Sequence, residues 1–146
     1  MKRAFYLFSV LLLVFSSCKK DDPVNDRDKF IGEYVGTQTV TFTFDNVIQS
    51  TNTEAGTESI TAGIMDNQVI IGADGEIQLK ATVSGSTLTI NSQIVQVDNG
   101  DGTYTASTAT GSGVLLSTGA LTLTYQIVGV YQGFSFKYEY VESVSK

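Results

Sequence analysis

The sequence predicts an all-β chain, a single antiparallel β-barrel or β-sandwich of about eight strands, and three observations carry that expectation. Apolar residues alternate with polar ones, chiefly threonine, over most of the chain after Phe30. Glycine-bearing turn signals recur between these runs at spacings of roughly ten residues. Beyond the first segment no apolar pattern at a helical spacing is long enough to form a helix.

The first segment has a different chemistry. Lys2 and Arg3 precede an apolar run from Ala4 to Phe15, and small Ser16 and Ser17 lead to Cys18. Interrupted by Ser9, the run is shorter than the about 20 apolar residues that cross a bilayer core, so it reads as a cleaved secretion signal. Small residues directly before a lone cysteine resemble the lipobox of bacterial lipoproteins, although Phe15 stands where leucine is usual. The resemblance implies cleavage before Cys18 and a diacylglycerol on its sulfur. An additional acyl chain fits the physics, because one chain alone holds a protein only reversibly.

Asp21 to Lys29 contains Pro23 and Asn25, is dense in charge and lacks apolar periodicity, which is the composition of a flexible tether. Its start, Lys19-Lys20-Asp21-Asp22, resembles the Lys-Asp-Asp type signal that sends lipoproteins of the Bacteroidetes group to the outside of the outer membrane. The same residues also read as a solvated spacer. The expected organisation is therefore a signal peptide (1–17), a lipidated tether (18–29) and a β-domain (30–146), anchored to an outer membrane on its periplasmic or its external side.

The strands follow in order. In Tyr34 to Phe44 the even positions are mostly apolar and the odd ones chiefly threonine, and Asp45-Asn46 supplies a turn. Val47 to Thr57 is polar and weakly patterned, the composition of a ragged edge strand and loop. Glu58 to Ala62 and Asn67 to Ile71 form two short strands around Met65-Asp66. Ala73-Asp74-Gly75-Glu76 is a hairpin signal before Ile77, Leu79, Ala81 and Val83, and Ser84-Gly85-Ser86 turns the chain into Thr87 to Val97.

Asp98-Asn99-Gly100-Asp101-Gly102 makes the next turn. Thr103 to Leu116 is interrupted by Gly111 and Gly113, which predict a bulge or bend. Ser117-Thr118-Gly119 leads into Leu121, Leu123, Tyr125 and Ile127, and the last strand sets Phe134, Phe136, Tyr138 and Tyr140 on one face. Together with Phe30-Ile31-Gly32-Glu33-Tyr34-Val35-Gly36, these phrases resemble small lipocalin-like β-barrel lipoproteins of the Bacteroidetes group. The lipocalin signature pairs a Gly-x-Trp on the first strand with an arginine near the last. Here Gly32-Glu33-Tyr34 stands in that place, the chain has no tryptophan, and Arg27 is the only arginine after the signal.

Charge and composition narrow the function. The net charge of −6 becomes −8 once Lys2 and Arg3 leave with the signal, and from Phe30 onward Lys80, Lys137 and Lys146 face eleven acids. Such a surface repels phosphate backbones, so no nucleic-acid partner is expected. With no histidine and its single cysteine committed to lipid, the chain lacks the usual neutral-pH base, the Ser-His and Cys-His dyads and the His/Cys zinc sets.

A pair of carboxylates for glycoside hydrolysis is present in composition alone, because the acids fall mostly in turns and loops. Read as an EF-hand around Gly102, the Asp98 to Gly102 stretch puts Val97 and Thr108 where ligating acids are required, so it predicts a hairpin turn. No cofactor, metal site or catalytic residue is expected. The aromatic set, above all Tyr34, Phe42, Tyr125, Phe136 and Tyr138, either lines a cavity or fills the core. The expectation is a non-catalytic envelope lipoprotein that binds a small apolar molecule, a glycan or an envelope partner. A structural lipoprotein with a filled core is the alternative.

Overall fold

The computed structural model describes residues 25–72 and 76–146. Among them eight antiparallel strands close into one barrel in chain order: β1 (Gly32–Phe44), β2 (Val47–Ala62), β3 (Gln68–Ile71), β4 (Leu79–Ser84), β5 (Thr87–Asp98), β6 (Tyr104–Leu115), β7 (Ala120–Tyr131) and β8 (Phe134–Ser145). Pairing of β1 with β8, from Val35 opposite Ser145 to Phe44 opposite Phe136, closes the ring and removes the sandwich alternative. The expected signal peptide, Cys18, most of the tether and Ala73-Asp74-Gly75 lie outside the described residues.

Period-two patterning makes the wall. On β7 Leu121, Leu123 and Ile127 are buried while Thr122, Thr124, Gln126 and Val128 face outward. On β5 Leu88, Ile90, Val95 and Val97 are the buried set. Asp45 and Asn46 both take positive φ, 46° and 64°, in a two-residue connection between β1 and β2. That backbone matches the right-handed twist of paired strands and suits Asp and Asn.

One end of the barrel is sealed by residues that precede β1. A 3-10 helix at Asp26–Lys29 is capped by the Asn25 side chain, which accepts from the Arg27 N–H at 3.1 Å. Asn25 Nδ2 donates to Asp66 O, and Asp26 Oδ2 accepts from the Gly85 N–H, so the helix is tied to the β2–β3 and β4–β5 turns. Below it, fully buried Phe30 and Tyr34 plug the barrel. The Tyr34 hydroxyl donates to Phe30 O at 2.9 Å, and Lys146 Nζ lies 5.2 Å from the Tyr34 ring while donating to Lys29 O.

Two details depart from the expected strands. Val47 to Thr57 and Glu58 to Ala62 form one continuous 16-residue strand, β2, rather than a loop and a short strand. Only Ile60, Thr61 and Ala62 of it pair with β3, so most of β2 is hydrogen-bonded to β1 alone. Nor do Gly111 and Gly113 break β6. The expected bulge does occur at Gly111, but on the partner strand β5, where the register shifts between Ile90, its direct partner, and Gln93. On the other side of β5 the Gln93 side chain ties it to β4, accepting from Lys80 N and donating to Lys80 O.

The glycines answer a different demand, which is close approach. A Cβ on Gly111 would lie 2.4 Å from the Tyr125 Cβ, and one on Gly113 would lie 2.5 Å from a Leu123 methyl. A Cβ on Gly36 would come within 2.1 Å of Ser143 O. Inward-facing glycine thus makes room for a neighbouring side chain at Gly111 and Gly113 and for the β8 backbone at Gly36.

Candidate functional site

Along β8 the inward register runs Phe136, Tyr138, Tyr140, Glu142, Val144, and it carries a carboxylate into the interior. Glu142 is only 1% exposed. Burial of a carboxyl group is costly unless its oxygens are paired. One oxygen is well paired, because Oε1 accepts from Gln38 Nε2 at 2.7 Å and from the Tyr125 hydroxyl at 3.1 Å. The other, Oε2, is buried without a hydrogen-bond donor from any ordinary amide, hydroxyl or cationic group.

The strand register explains why these groups meet. Gln38 on β1 is the direct partner of Glu142 on β8, and Tyr125 on β7 is the direct partner of Tyr140 on β8. The two tyrosine rings stack 4.4 Å apart at an interplanar angle of 8°. Glu58 reaches the same space from β2, opposite Tyr34. Burial, then the neighbouring Glu142 charge and a hydrogen bond to Glu142, push its carboxyl up to about 8, against an opposing pull from the Gly72 backbone. Glu58 therefore keeps its proton at neutral pH and donates it toward Glu142, so the pair holds one proton between two carboxyl groups. Burial first, and Glu142 next, also raise the Tyr125 hydroxyl far above its usual range, which keeps it a donor. Burial, Tyr138 and Glu142 raise Tyr140.

These side chains border a cavity of about 400 Å³. Its polar lining includes Gln38, Glu58, Glu76, Tyr125, Tyr140 and Glu142, with Ile71, Ile77, Leu79 and Val144 as apolar wall. The size falls within the range of small-molecule sites. Gly56 and Thr57 of β2, with Gly72, Glu76 and Ile77 of the β3–β4 connection, form the side where β2 has no strand beside it. A Cβ on Gly56 would meet only the Gln38 Cβ, at 3.8 Å, so the absent side chain leaves open space. No lysine or arginine among the described residues lines this cavity.

The five aromatic candidates divide. Tyr125 lines the cavity. Tyr34 fills the sealed end with no exposed surface. Phe42, Phe136 and Tyr138 lie toward the opposite end, where they border a smaller recess of about 150 Å³ with Phe44, Val97 and Tyr131. Phe42 stacks on Tyr138 at 4.8 Å, and Phe136 meets the Tyr138 edge at 5.9 Å. The Tyr131 hydroxyl donates to Asp101 Oδ2 at 3.0 Å and pins the β5–β6 turn over that end.

Asp98 and Asp101 are used within their own turn, accepting from the N–H groups of Gly100 and Thr103. Among the described residues no group of three Asp, Glu, His or Cys side chains is arranged to hold a metal ion. Also among them, no helix is long and apolar enough to cross a membrane.

Glu58 and Glu142 lie on strands and border the interior cavity, unlike the acids expected on solvated turns. A signal for both was in the alternation. Extending the aromatic face of the last strand by two residues from Tyr140 reaches Glu142, and stepping back two residues from buried Ile60 reaches Glu58. No family model, no curated protein and no solved structure matches this chain.

Proposed function

We propose that this protein is a non-catalytic binding module of a bacterial cell envelope, held to the outer membrane by lipid on Cys18, whose barrel takes one small polar molecule. The observation that carries the reading is the buried Glu142 carboxyl, whose Oε2 has no donor beyond the proton shared with Glu58, beside a cavity of about 400 Å³. A carboxyl group short of donors inside a protein is costly, and a ligand hydrogen-bond donor relieves that cost on binding. Of the ligand classes considered, an apolar molecule gains nothing from Gln38, Glu58 and Glu142, whereas a glycan supplies hydroxyl donors and a face to lie on Tyr140. The sealed end supports the lipocalin-like resemblance, because Lys146 near the close of the last strand covers the Tyr34 ring where the family uses arginine and tryptophan.

The test is a chemical-shift titration of the labelled full chain with small polar molecules, mono- and disaccharides among them, repeated on Gly56→Leu. Saturable shifts at Gln38, Tyr125 and Glu142 that disappear in Gly56→Leu are expected. Shifts confined to the Phe42, Phe136 and Tyr138 recess would instead favour an apolar ligand.

A second reading, proton-transfer catalysis, is favoured by the one-proton carboxyl pair. Its geometry argues against glycoside hydrolysis. Both stereochemical classes keep their two carboxyl groups at least about 5 Å apart to admit the sugar or a water, and these two are in hydrogen-bond contact. Release of nitrophenol from nitrophenyl glycosides by wild type but not by Glu142→Gln would overturn the non-catalytic reading.

A further inference from the structure

We infer that the ligand of the barrel cavity is a small organic cation, an ammonium group that lodges beside the Glu58–Glu142 pair and against the Tyr125–Tyr140 stack. This rests on the polar-ligand reading above and names its substrate class. Three features carry it together. Glu142 is almost wholly buried, and its Oε2 has no donor beyond the proton that Glu58 shares with it. The acids that border the same cavity, Glu58 from β2 and Glu76 from the β3–β4 connection, face no lysine or arginine among the described residues lining it. A stacked pair of tyrosine rings, 4.4 Å between centroids, stands beside the carboxyl groups.

Each feature has a neutral explanation on its own, and their coincidence does not. A glycan hydroxyl donates to the pair but leaves its negative charge uncompensated. An ammonium group satisfies both, since it brings several N–H donors and the missing charge, and electron-rich ring faces attract it further. Unpaired buried charge is strongly unfavourable, so the cavity favours a cation.

The exchange balances. The free protein holds one proton between Glu58 and Glu142, an ammonium ligand replaces it, and that proton leaves to solvent while both carboxyl groups become ionised. The groups facing the pair are Gln38 from β1, Glu76 from the β3–β4 connection, Tyr125 from β7 and Tyr140 from β8, and none of them carries a positive charge. Binding therefore tightens as pH rises from 5 toward 7, by up to about tenfold per pH unit.

The experiment is calorimetry on the full chain in two buffers of different ionisation enthalpy, using glucosamine and n-butylammonium with glucose and n-butanol as neutral counterparts. We expect the two cations to bind at least tenfold more tightly than their neutral counterparts, with up to one proton released per cation bound. Glu142→Gln should abolish this preference, and Glu58→Gln should weaken the cations while ending proton release. Circular dichroism shows whether each variant folds, and whichever does so tests the claim. If glucose binds as tightly as glucosamine, the cation inference is overturned while the polar-ligand reading stands. Binding of none of the four, with no shift at cavity residues up to their solubility, overturns both. Undiminished cation binding by folded Glu142→Gln overturns the inference alone.

Discussion

Glu58 and Glu142 make stability depend on pH in a direction opposite to that of most acidic proteins. The Glu58 carboxyl rises from 4.5 to about 8 on folding. Between those values the folded chain holds a proton that the unfolded chain has lost, so unfolding is favoured as pH climbs. The contribution is complete below about pH 4.5 and is lost as pH rises through about 8. Because Glu58 is only half-buried, solvent screening reduces the effect, and about 2 kcal/mol is expected over that window. In Glu142→Gln the neighbouring charge is gone and the amide still accepts from Gln38 and Tyr125, so the slope flattens. Urea unfolding at pH 5, 6.5 and 8 measures it. A wild-type stability that rises across this series would contradict the shared proton.

The same two residues show what could be read from the chain at this scale. Their place inside follows from strand parity, which the alternation gives directly. Residue type points the other way, since glutamate is seldom buried. Their contact does not follow from parity, because it depends on how β2 and β8 are arranged on the two sides of β1.

At the scale of elements the strands and their turns were legible wherever one face is apolar. β2 was not, and the reason is structural. Among the described residues, Val47 to Ser59 has β1 on one side and no strand on the other, so much of it is exposed and threonine, serine and glutamate are tolerated without alternation. The glycines were legible as special positions but not as to cause. Gly36 and Gly56 face each other across β1 and β2, yet their surroundings differ. A Cβ on Gly36 meets backbone at 2.1 Å and 2.7 Å, which side-chain rotation cannot relieve, whereas a Cβ on Gly56 meets one side-chain atom at 3.8 Å. Gly36→Ala is therefore expected to cost about 3 kcal/mol or more, and Gly56→Ala to be neutral or to stabilise by up to about 1 kcal/mol. Thermal unfolding of the two variants separates them. Equal loss in both would mean that the β1–β2 pairing, rather than contact with β8, demands glycine at Gly36.

At the scale of the whole molecule, charge decides which force can hold the domain at a membrane. From Phe30 onward three lysines oppose eleven acids, so attraction to anionic headgroups is not available to the barrel. Lys19, Lys20, Arg27 and Lys29 of the tether are themselves matched by Asp21, Asp22, Asp26 and Asp28. Two of these basic groups are engaged locally, as Lys29 pairs with Asp26 and Arg27 with Asp28. If the mature chain is membrane-bound, lipid on Cys18 must supply nearly all of the affinity, at about 0.8 kcal/mol per buried methylene. Two outcomes follow from that assignment. Wild type should stay in the membrane fraction at low and at high salt alike, because acyl burial is not screened. Cys18→Ala should appear in the soluble fraction at both, with no rescue at low salt. Retention of Cys18→Ala at low salt and release at high salt would assign the attachment to a charged partner instead, and the domain would then be recruited by that partner rather than anchored by lipid.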